Sequence, residues 1–469
     1  MKKMLQVYKF PFFLLALLLT TSCSSDDEGS TDPGPTQQTG PTLLELAQDN
    51  PELSSLVAAL EAADGNLTTV LSGEGPFTVF APSNTAFEIF LDGRALSDIP
   101  TDVLSQVLLN HVVAGENFSN SLNTGYVSSL STAGVGGNNL SVLISTTNGV
   151  SINRSSTVTV PDLDASNGVV HIVDAVIGLP TVSDHVMAND DLIEFVDALG
   201  DGTPDTDFLD ILSGEGPYTL FAPNNESSIN FSNPDGNEIS NVIFNHILLN
   251  TAILSTEFET SYDMTTAATN TDGDNLNIFV NTLDGVLLNG TSTVKDGNAD
   301  VVATNGIVHL VDGVIDLPTL ATFANADPDF TPLITALDAA STDVDFVSTV
   351  LSATGPSTIF APINTAFDNL LVSLGVNGVD EIDGSELTTI LLHHIIDGNI
   401  RAEDLTNGAS VPTSEGDAIT ISLPGTGANI ANITDGAGNS GIGIIFVDVQ
   451  ANNGVIHLID TVLSPNTTN

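Results

Sequence analysis

The sequence predicts an α+β fold built three times in tandem, and two recurring strings together with their order carry that prediction. GEGPFTVFAPSNTAF (Gly73 to Phe87), GEGPYTLFAPNNESS (Gly214 to Ser228) and ATGPSTIFAPINTAF (Ala353 to Phe367) lie about 140 residues apart. Each is followed by a second string, NGVVHIVD (Asn167 to Asp174), NGIVHLVD (Asn305 to Asp312) or NGVIHLID (Asn453 to Asp460). A period of that length belongs to whole domains, not to the short units of a solenoid. Within each unit helical patterns come early and strand patterns late, which is the segregation of an α+β fold.

The elements follow in order. Upstream of each Gly-Pro, segments such as LSSLVAALEAA and FTPLITALDAA space their apolar residues by three and four, marking one face of a helix. The Gly-Pro turn halts that helix, and FTVFAP, β-branched and aromatic, is a strand stopped by Pro82. SNTAFEIF then opens a helix with Ser83 or Asn84 as its N-cap. NNESSINF replaces this pattern in the second unit, so a shorter or distorted helix is expected there. LSDIPTDVLSQVLLNHVV reads as a further helix with a Leu and Val face. VLLNHVV, VIFNHIL and ILLHHII accordingly place His111, His246 and His394 on a helix at a packing seam. The remainder, rich in Thr, Ser, Asn and Gly, suits short strands and turns such as TTNG. The NGxxH string is the last strand, and the units close at LP, LP and LSP. The domains are therefore expected at 42–180, 181–318 and 319–465, almost without linkers.

Ahead of them, Lys2, Lys3 and Lys9 flank FPFFLLALLL, an apolar run too short to span a bilayer and bounded like a secretory signal, so residues 1–22 are expected to be removed. Cys23 is the only cysteine, which leaves no intrachain disulfide and no multi-cysteine zinc site. TTSC resembles the lipobox of bacterial lipoproteins, with Thr21 and Ser22 departing from its stricter pattern. SSDDEG after it looks like the acidic signal that sends some Bacteroidota lipoproteins to the outer face of the outer membrane. That resemblance implies an exported protein lipid-anchored through Cys23 to the outer membrane and exposed at the surface. Residues 23–41 contain no large apolar side chain and read as a disordered tether. Against 59 Asp and Glu stand only seven Lys and Arg, for a net charge of -52. Such a surface repels nucleic acid and anionic lipid. It suits cations, basic partners or solubility in salt.

The landmarks themselves resemble the fasciclin (FAS1) domain family. Its TxFAPxNxAF strand and helix, its His-containing apolar helix and its NGxxHxID strand ending near Leu-Pro occur in that order in all three units, from Thr42 to Pro465. The resemblance implies a wedge of β-strands packed with several helices, in which Asn167, Gly168, His171, Asn305, Gly306, His309, Asn453, Gly454 and His457 are structural. It also implies a non-catalytic role in cell-surface adhesion or extracellular-matrix binding, with a matrix or cell-surface polymer, protein or polysaccharide, as partner. In animal fasciclin proteins that support adhesion, an Asp followed by Ile just ahead of NGxxH contributes to integrin attachment. The matching candidates are Asp162 with Leu163, Asp300 with Val301, and Asp448 with Val449. The plainer alternative is an Asp at a strand edge beside a core residue. A second adhesion motif, a Tyr-His pair in the middle helix, is broken, because Asn110, Asn245 and His393 hold the Tyr position.

A His three residues before an Asp is not a dyad within a strand, since those positions face opposite ways. Neither a GxSxG elbow nor a reactive Cys accompanies it, so no catalytic residue and no enzyme activity is expected. DALGDGTPDTD, with Asp201, Asp205 and Asp207, and TDGDN (Thr271 to Asn275) offer calcium oxygen ligands around a Gly but no closing Glu, and solvated turns are the plainer reading. His393 and His394 point about 100° apart on a helix and make no metal site alone. No other cofactor is expected. The runner-up function is a glycan-binding accessory in polysaccharide capture, against which the absence of Trp and scarcity of Tyr argue.

Overall fold

The computed structural model describes residues 40–201, 206–295, 297, 299–340, 346 and 355–466. The signal segment, Cys23 and the tether as far as residue 39 lie outside the described residues, as do Asp205 and the side chain of Asp201.

Each repeat begins with a helix whose first turn is capped by a threonine. Thr42 accepts from the Glu45 N–H while the Glu45 carboxylate accepts from the Thr42 N–H, and Thr181 with Asp184 and Thr319 with Thr322 repeat the arrangement. In the first repeat the elements are α1 (Leu43–Asp49), α2 (Ser54–Ala62), α3 (Leu67–Ser72), β1 (Phe77–Pro82), α4 (Asn84–Leu91), α5 (Thr101–Leu109), β2 (Val112–Ala114), β3 (Gly125–Ser128), β4 (Ser141–Ser145), β5 (Ser151–Ile152), β6 (Ser156–Ala165) and β7 (Gly168–Val173). The second contains α6 (Val182–Ala188), α7 (Ile193–Asp201), α8 (Phe208–Ser213), β8 (Tyr218–Pro223), α9 (Asn225–Asn230), α10 (Ile239–Phe244), β9 (Ile247–Leu249), β10 (Ser261–Thr269), β11 (Asn275–Asn281), β12 (Leu287–Leu288), β13 (Ser292–Thr293), β14 (Val301–Val302) and β15 (Gly306–Val311). The third contains α11 (Leu320–Ala326), α12 (Thr331–Ala339), β16 (Ser357–Pro362), α13 (Asn364–Leu374), α14 (Gly384–Leu392), β17 (Ile395–Asp397), β18 (Ser410–Pro412), β19 (Ala418–Ser422), β20 (Ala431–Thr434), β21 (Ile442–Ala451) and β22 (Gly454–Ile459). The fold is α+β, three times over.

The two signature strings meet at the centre of each repeat. β1 pairs with β7 in parallel, Phe80 opposite His171, and β8 with β15 and β16 with β22 do the same in identical register. Both strands are buried along nearly their whole length, which is why they read as continuous apolar runs and not as alternation. Around this pair the first and third repeats build seven-stranded sheets in the orders β2-β1-β7-β6-β5-β4-β3 and β17-β16-β22-β21-β20-β19-β18. In the second repeat the same strands divide into two four-stranded sheets. Helices cover one side, where Leu53, Leu56, Leu60, Phe87 and Leu104 close over Val79 and Val170.

The Ser83 hydroxyl accepts from the Ala86 N–H and starts α4 as expected. Asn84 instead clamps neighbouring elements, its side chain accepting from the Ser55 N–H at 2.8 Å and donating to the Pro51 carbonyl at 2.9 Å. α9 is six residues long, against eight for α4 and eleven for α13, as the degenerate second string implied. One expectation fails. The helix holding VLLN stops at Leu109, and its counterparts at Phe244 and Leu392, so His111, His246 and His394 lie beyond the helix. The His111 Nδ1 donates to the Val107 carbonyl at 2.7 Å, taking the acceptor that a continuing helix would have given to a backbone N–H. The main chain turns into β2 instead.

Residues from Gly40 onward form one compact unit, and the joints between its repeats are dense. Tyr126 of β3 sets its ring edge-on to His185 of α6, with centroids 5.5 Å apart. Tyr262 of β10 sits against Phe323 of α11 at 5.4 Å and donates to the Asp327 carboxylate at 2.9 Å. Arg401 adds an ion pair to Asp274 at 2.8 Å across the second joint. The loop TDGDN, read as a calcium candidate, thus spends its Asp274 on a neighbouring repeat. Tyr262→Ala is expected to destabilise the second and third repeats by on the order of 3 kcal/mol, seen by calorimetry as a loss confined to their part of the melting profile. An unchanged profile would mean that the joint contributes no stability.

Candidate functional site

The site shared by the repeats is the bulge that carries the candidate aspartates, together with the histidine behind it. β6 and β7 slip register between Val160 and Leu163, and Asp162 takes up the slack with a φ of 62°. Asp300 and Asp448 adopt the same left-handed conformation, at 59° and 61°. Asp tolerates it better than a branched or bulky residue would, which accounts for this residue type at all three positions.

The bulge rests on the histidine. The Asp162 N–H donates to His171 Nδ1 at 3.1 Å, and His171 Nε2 donates to the Asn117 carbonyl at 2.9 Å. Asp300 with His309 and Ile253, and Asp448 with His457 and Ile400, repeat the bridge at 3.2 and 2.9 Å and at 3.3 and 2.8 Å. The donors fix the tautomer, leaving the proton on Nε2. Each ring also stacks on the Phe of the FAP strand, Phe80 on His171, Phe221 on His309 and Phe360 on His457, at 5.4 to 5.8 Å. All three histidines are fully buried. Desolvation is the main cause that lowers their pKa, opposed in part by the backbone carbonyl and the nearby Asp carboxylate. Both nitrogens of each ring are thus held by backbone groups, out of contact with solvent.

The Asp carboxylates face outward from the same bridge. Asp162 accepts from the Ser119 N–H at 2.7 Å and hydroxyl at 2.6 Å, and Asp300 from Ser255 at 2.6 Å for both. Asp448 accepts from the Ala402 N–H at 2.7 Å, and Ala402 has no hydroxyl to offer its second oxygen. The first two side chains keep 36% and 34% of their surface exposed, so lone pairs remain open to an external donor or cation. Their apolar neighbours do not share that exposure. Val301 and Val449 are completely buried and Leu163 half-buried against the core, which removes Val301 and Val449 as contact residues and corrects their assignment as adhesion positions. The one-residue difference changes the face of the strand.

The other marked residues have local duties. Asn167 accepts from the Leu43 N–H at 2.9 Å and donates to the Leu71 and Gly73 carbonyls, and Asn305 does the same with Val182, Leu212 and Gly214. Asn453 accepts from the Leu320 N–H. The string's Asn therefore ties the first helix of a repeat to its central strands. A Cβ on Gly168, Gly306 or Gly454 would strike the carbonyl of Phe77, Tyr218 or Ser357, so glycine is required for the strands to approach. Asp174, Asp312 and Asp460, three residues past each His, accept from backbone N–H groups of Thr157, Thr293 and Gly443 on the opposite face, as the strand geometry demanded. Asp207 caps α8 through the Asp210 N–H. His393 lies within 3.2 Å of Glu415 and accepts from the Gly436 N–H, while Asn110 and Asn245 donate to carbonyls after the last strand. Among the described residues no group of three or more His, Cys, Asp or Glu is placed to hold a metal ion.

The fasciclin domain model matches residues 51–180, 191–318 and 328–465. The chain belongs to the fasciclin domain family. Human periostin is 27% identical over 417 residues, covering 84% of this chain and 44% of periostin, so the chain spans less than half of that relative. The Synechocystis protein sll1483 is 40% identical over 139 residues, 29% of this chain and 72% of that protein. The cell surface glycolipoprotein MPB83 of Mycobacterium bovis is 43% identical over 75 residues, 15% of this chain and 33% of its own. Among solved structures, a FAS1 domain pair from the insect cell adhesion molecule fasciclin I aligns with a TM-score of 0.38 at 19% identity, covering 56% of this chain and 96% of that one.

His457→Ala strands the Asp448 N–H and the Ile400 carbonyl and removes the Phe360 stack, at an expected cost of roughly 3 kcal/mol in denaturant unfolding of the third repeat. An unchanged midpoint would show that the bridge contributes nothing. His111, His185, His246 and His394 are held at a pKa of about 4 by burial, below the ordinary 6.5. A depressed value means that the folded state excludes the proton. Their stabilisation is therefore complete above pH 6.5 and drains away as pH falls through 4, by on the order of 3 kcal/mol for each histidine. Asp327, raised by burial, acts in the opposite sense, so the test is a contrast. His246→Gln keeps a donor for Val242 and an acceptor for Ile315 without titrating, and is expected to flatten the dependence of Tm on pH between 6.5 and 4.

Proposed function

We propose that this fasciclin protein is a non-catalytic adhesion module of the cell surface, lipid-anchored at Cys23 to the outer membrane and binding a matrix or cell-surface polymer through repeated weak contacts. The observation that carries the reading is the division of labour at the bulge. The reactive side chain, the histidine, is buried and bound on both nitrogens. The carboxylate stands outward at the same place in three repeats of one body. Three weak sites on one chain raise each other's effective concentration, so attachment can be firm without any deep pocket. Asp448, with one oxygen lacking the hydroxyl partner of its counterparts, is the best placed to complete a cation's coordination shared with a partner.

The glycan-binding alternative calls for aromatic platforms open to solvent. Among the described residues no Phe or Tyr is exposed, and Tyr126 and Tyr262 are taken up in the joints. That observation favours adhesion. No helix among the described residues is long and apolar enough to cross a membrane, so in this reading attachment to the bilayer falls to the acylated cysteine.

The deciding experiment compares cells carrying the wild-type protein, a deletion, and the triple variant Asp162→Asn, Asp300→Asn, Asp448→Asn, in attachment to matrix polymers and to other cells. Asn retains an oxygen for the loop N–H, so the fold is expected to persist. The triple variant is expected to lower attachment about tenfold, as loss of avidity would. Attachment that survives the deletion would sink the adhesion reading.

A further inference from the structure

The two joints between repeats are one contact made twice. In each, a hairpin of the preceding repeat presents a tyrosine to the first helix of the next, Tyr126 to α6 and Tyr262 to α11. The same hairpin offers a side-chain oxygen to the backbone two residues past the bulge Asp: Ser141 Oγ accepts from the Val302 N–H at 3.0 Å, and Asn277 Oδ1 from the Gln450 N–H at 2.6 Å. On the receiving side His185 and Asn189, and likewise Phe323 and Asp327, are buried.

The first repeat has the same receiving positions, and among the described residues no hairpin is seated on them. Counting from the capping threonines, Leu46 stands where His185 and Phe323 stand, and Asn50 where Asn189 and Asp327 stand. Both are only half-buried, Leu44 beside them is half-buried too, and Asp164, at the strand position of Val302 and Gln450, is exposed. At the far end the third repeat lacks the presenting groups. Tyr126 pairs with Leu143, two residues beyond Ser141, and Ser410 pairs with Thr420, two residues beyond Ala418. Ser410 therefore replaces the tyrosine and Ala418 the oxygen donor position, and both are exposed.

We propose that the α1 face of the first repeat is a docking surface for the hairpin of a fasciclin-type repeat from another chain, one bearing a tyrosine and a serine or asparagine at these two positions. The hairpin of the third repeat carries neither group. The occupant is identified by continuity with a contact that the chain itself makes twice with equivalent residues. A second copy of this protein does not qualify: its Tyr126 and Tyr262 hairpins are already covered, and its last hairpin has no ring to insert.

The whole chain can be turned into its own probe by Ser410→Tyr with Ala418→Ser, which gives the last hairpin both groups. In sedimentation the wild type is expected to remain a single copy, while the double variant forms oligomers that grow with concentration. Adding Leu46→Glu should return it to single copies while the chain stays folded, as circular dichroism would read. Ser410→Tyr alone, at an exposed position, is expected to give a smaller shift in the same direction. A folded double variant that stays a single copy up to about 0.1 mM would overturn the proposal. So would wild-type association that Leu46→Glu abolishes, since the native tail would then dock without a tyrosine. Neither readout involves attachment to a polymer, so this inference and the adhesion reading fail independently.

Discussion

The bridge made by each signature histidine is the constraint on which the rest of the repeat depends. Two strands separated by most of a repeat must lie parallel and in register, and parallel pairs have no hairpin to align them. His171 supplies the alignment from the side. Its ring packs on Phe80 of one strand, accepts from the bulge on the next, and donates to the loop after β2. A buried polar ring is tolerable only because both nitrogens are satisfied, and that satisfaction selects one register. Asn167 and Gly168 act at the strand's entry, one fastening the first helix and the other letting Phe77 approach.

The bulge aspartate is a product of the same bridge. Because the histidine claims its N–H, the residue is held in a left-handed conformation with the carboxylate thrown outward over the neighbouring loop. The carboxylate first serves that loop, as a cap, and only its remaining lone pairs face solvent. Structural necessity and the capacity to bind are thus carried by different atoms of one residue. The three copies differ in the loop residue that meets the carboxylate, with Ser119 and Ser255 giving way to Ala402.

Repetition then continues above the level of the domain. The joints reuse equivalent positions, yet each is chemically individual: a histidine and an asparagine receive the first tyrosine, and a phenylalanine and a buried aspartate the second. An acidic chain with seven basic residues places two of them, Arg154 and Arg401, in ion pairs with Asp190 and Asp274 at these joints. So scarce a charge is of most use where two strongly negative bodies must be held together.

The sequence by itself determined the fold class, the three repeats, the weakened helix at NNESSINF and the structural role of the NGxxH histidines, because each is written in residue type and local spacing. β-branched runs bounded by Gly and Pro favour strands, and on any strand positions i and i+3 face opposite ways, which separates His171 from Asp174. Only the tertiary structure decided that the partner of His171 is Asp162, that helix α5 ends before His111, that Val301 and Val449 point into the core, and that Asp274 and Tyr262 belong to a joint. Asp162 lies nine residues before His171, but the other ring nitrogen of His171, His111 and Asp274 each meet a group from a distant part of the chain: a carbonyl 54 residues away, an amide 66 away and an arginine 127 away. No local pattern encodes such a neighbour, since it is delivered by the packing of elements whose own patterns are complete without it.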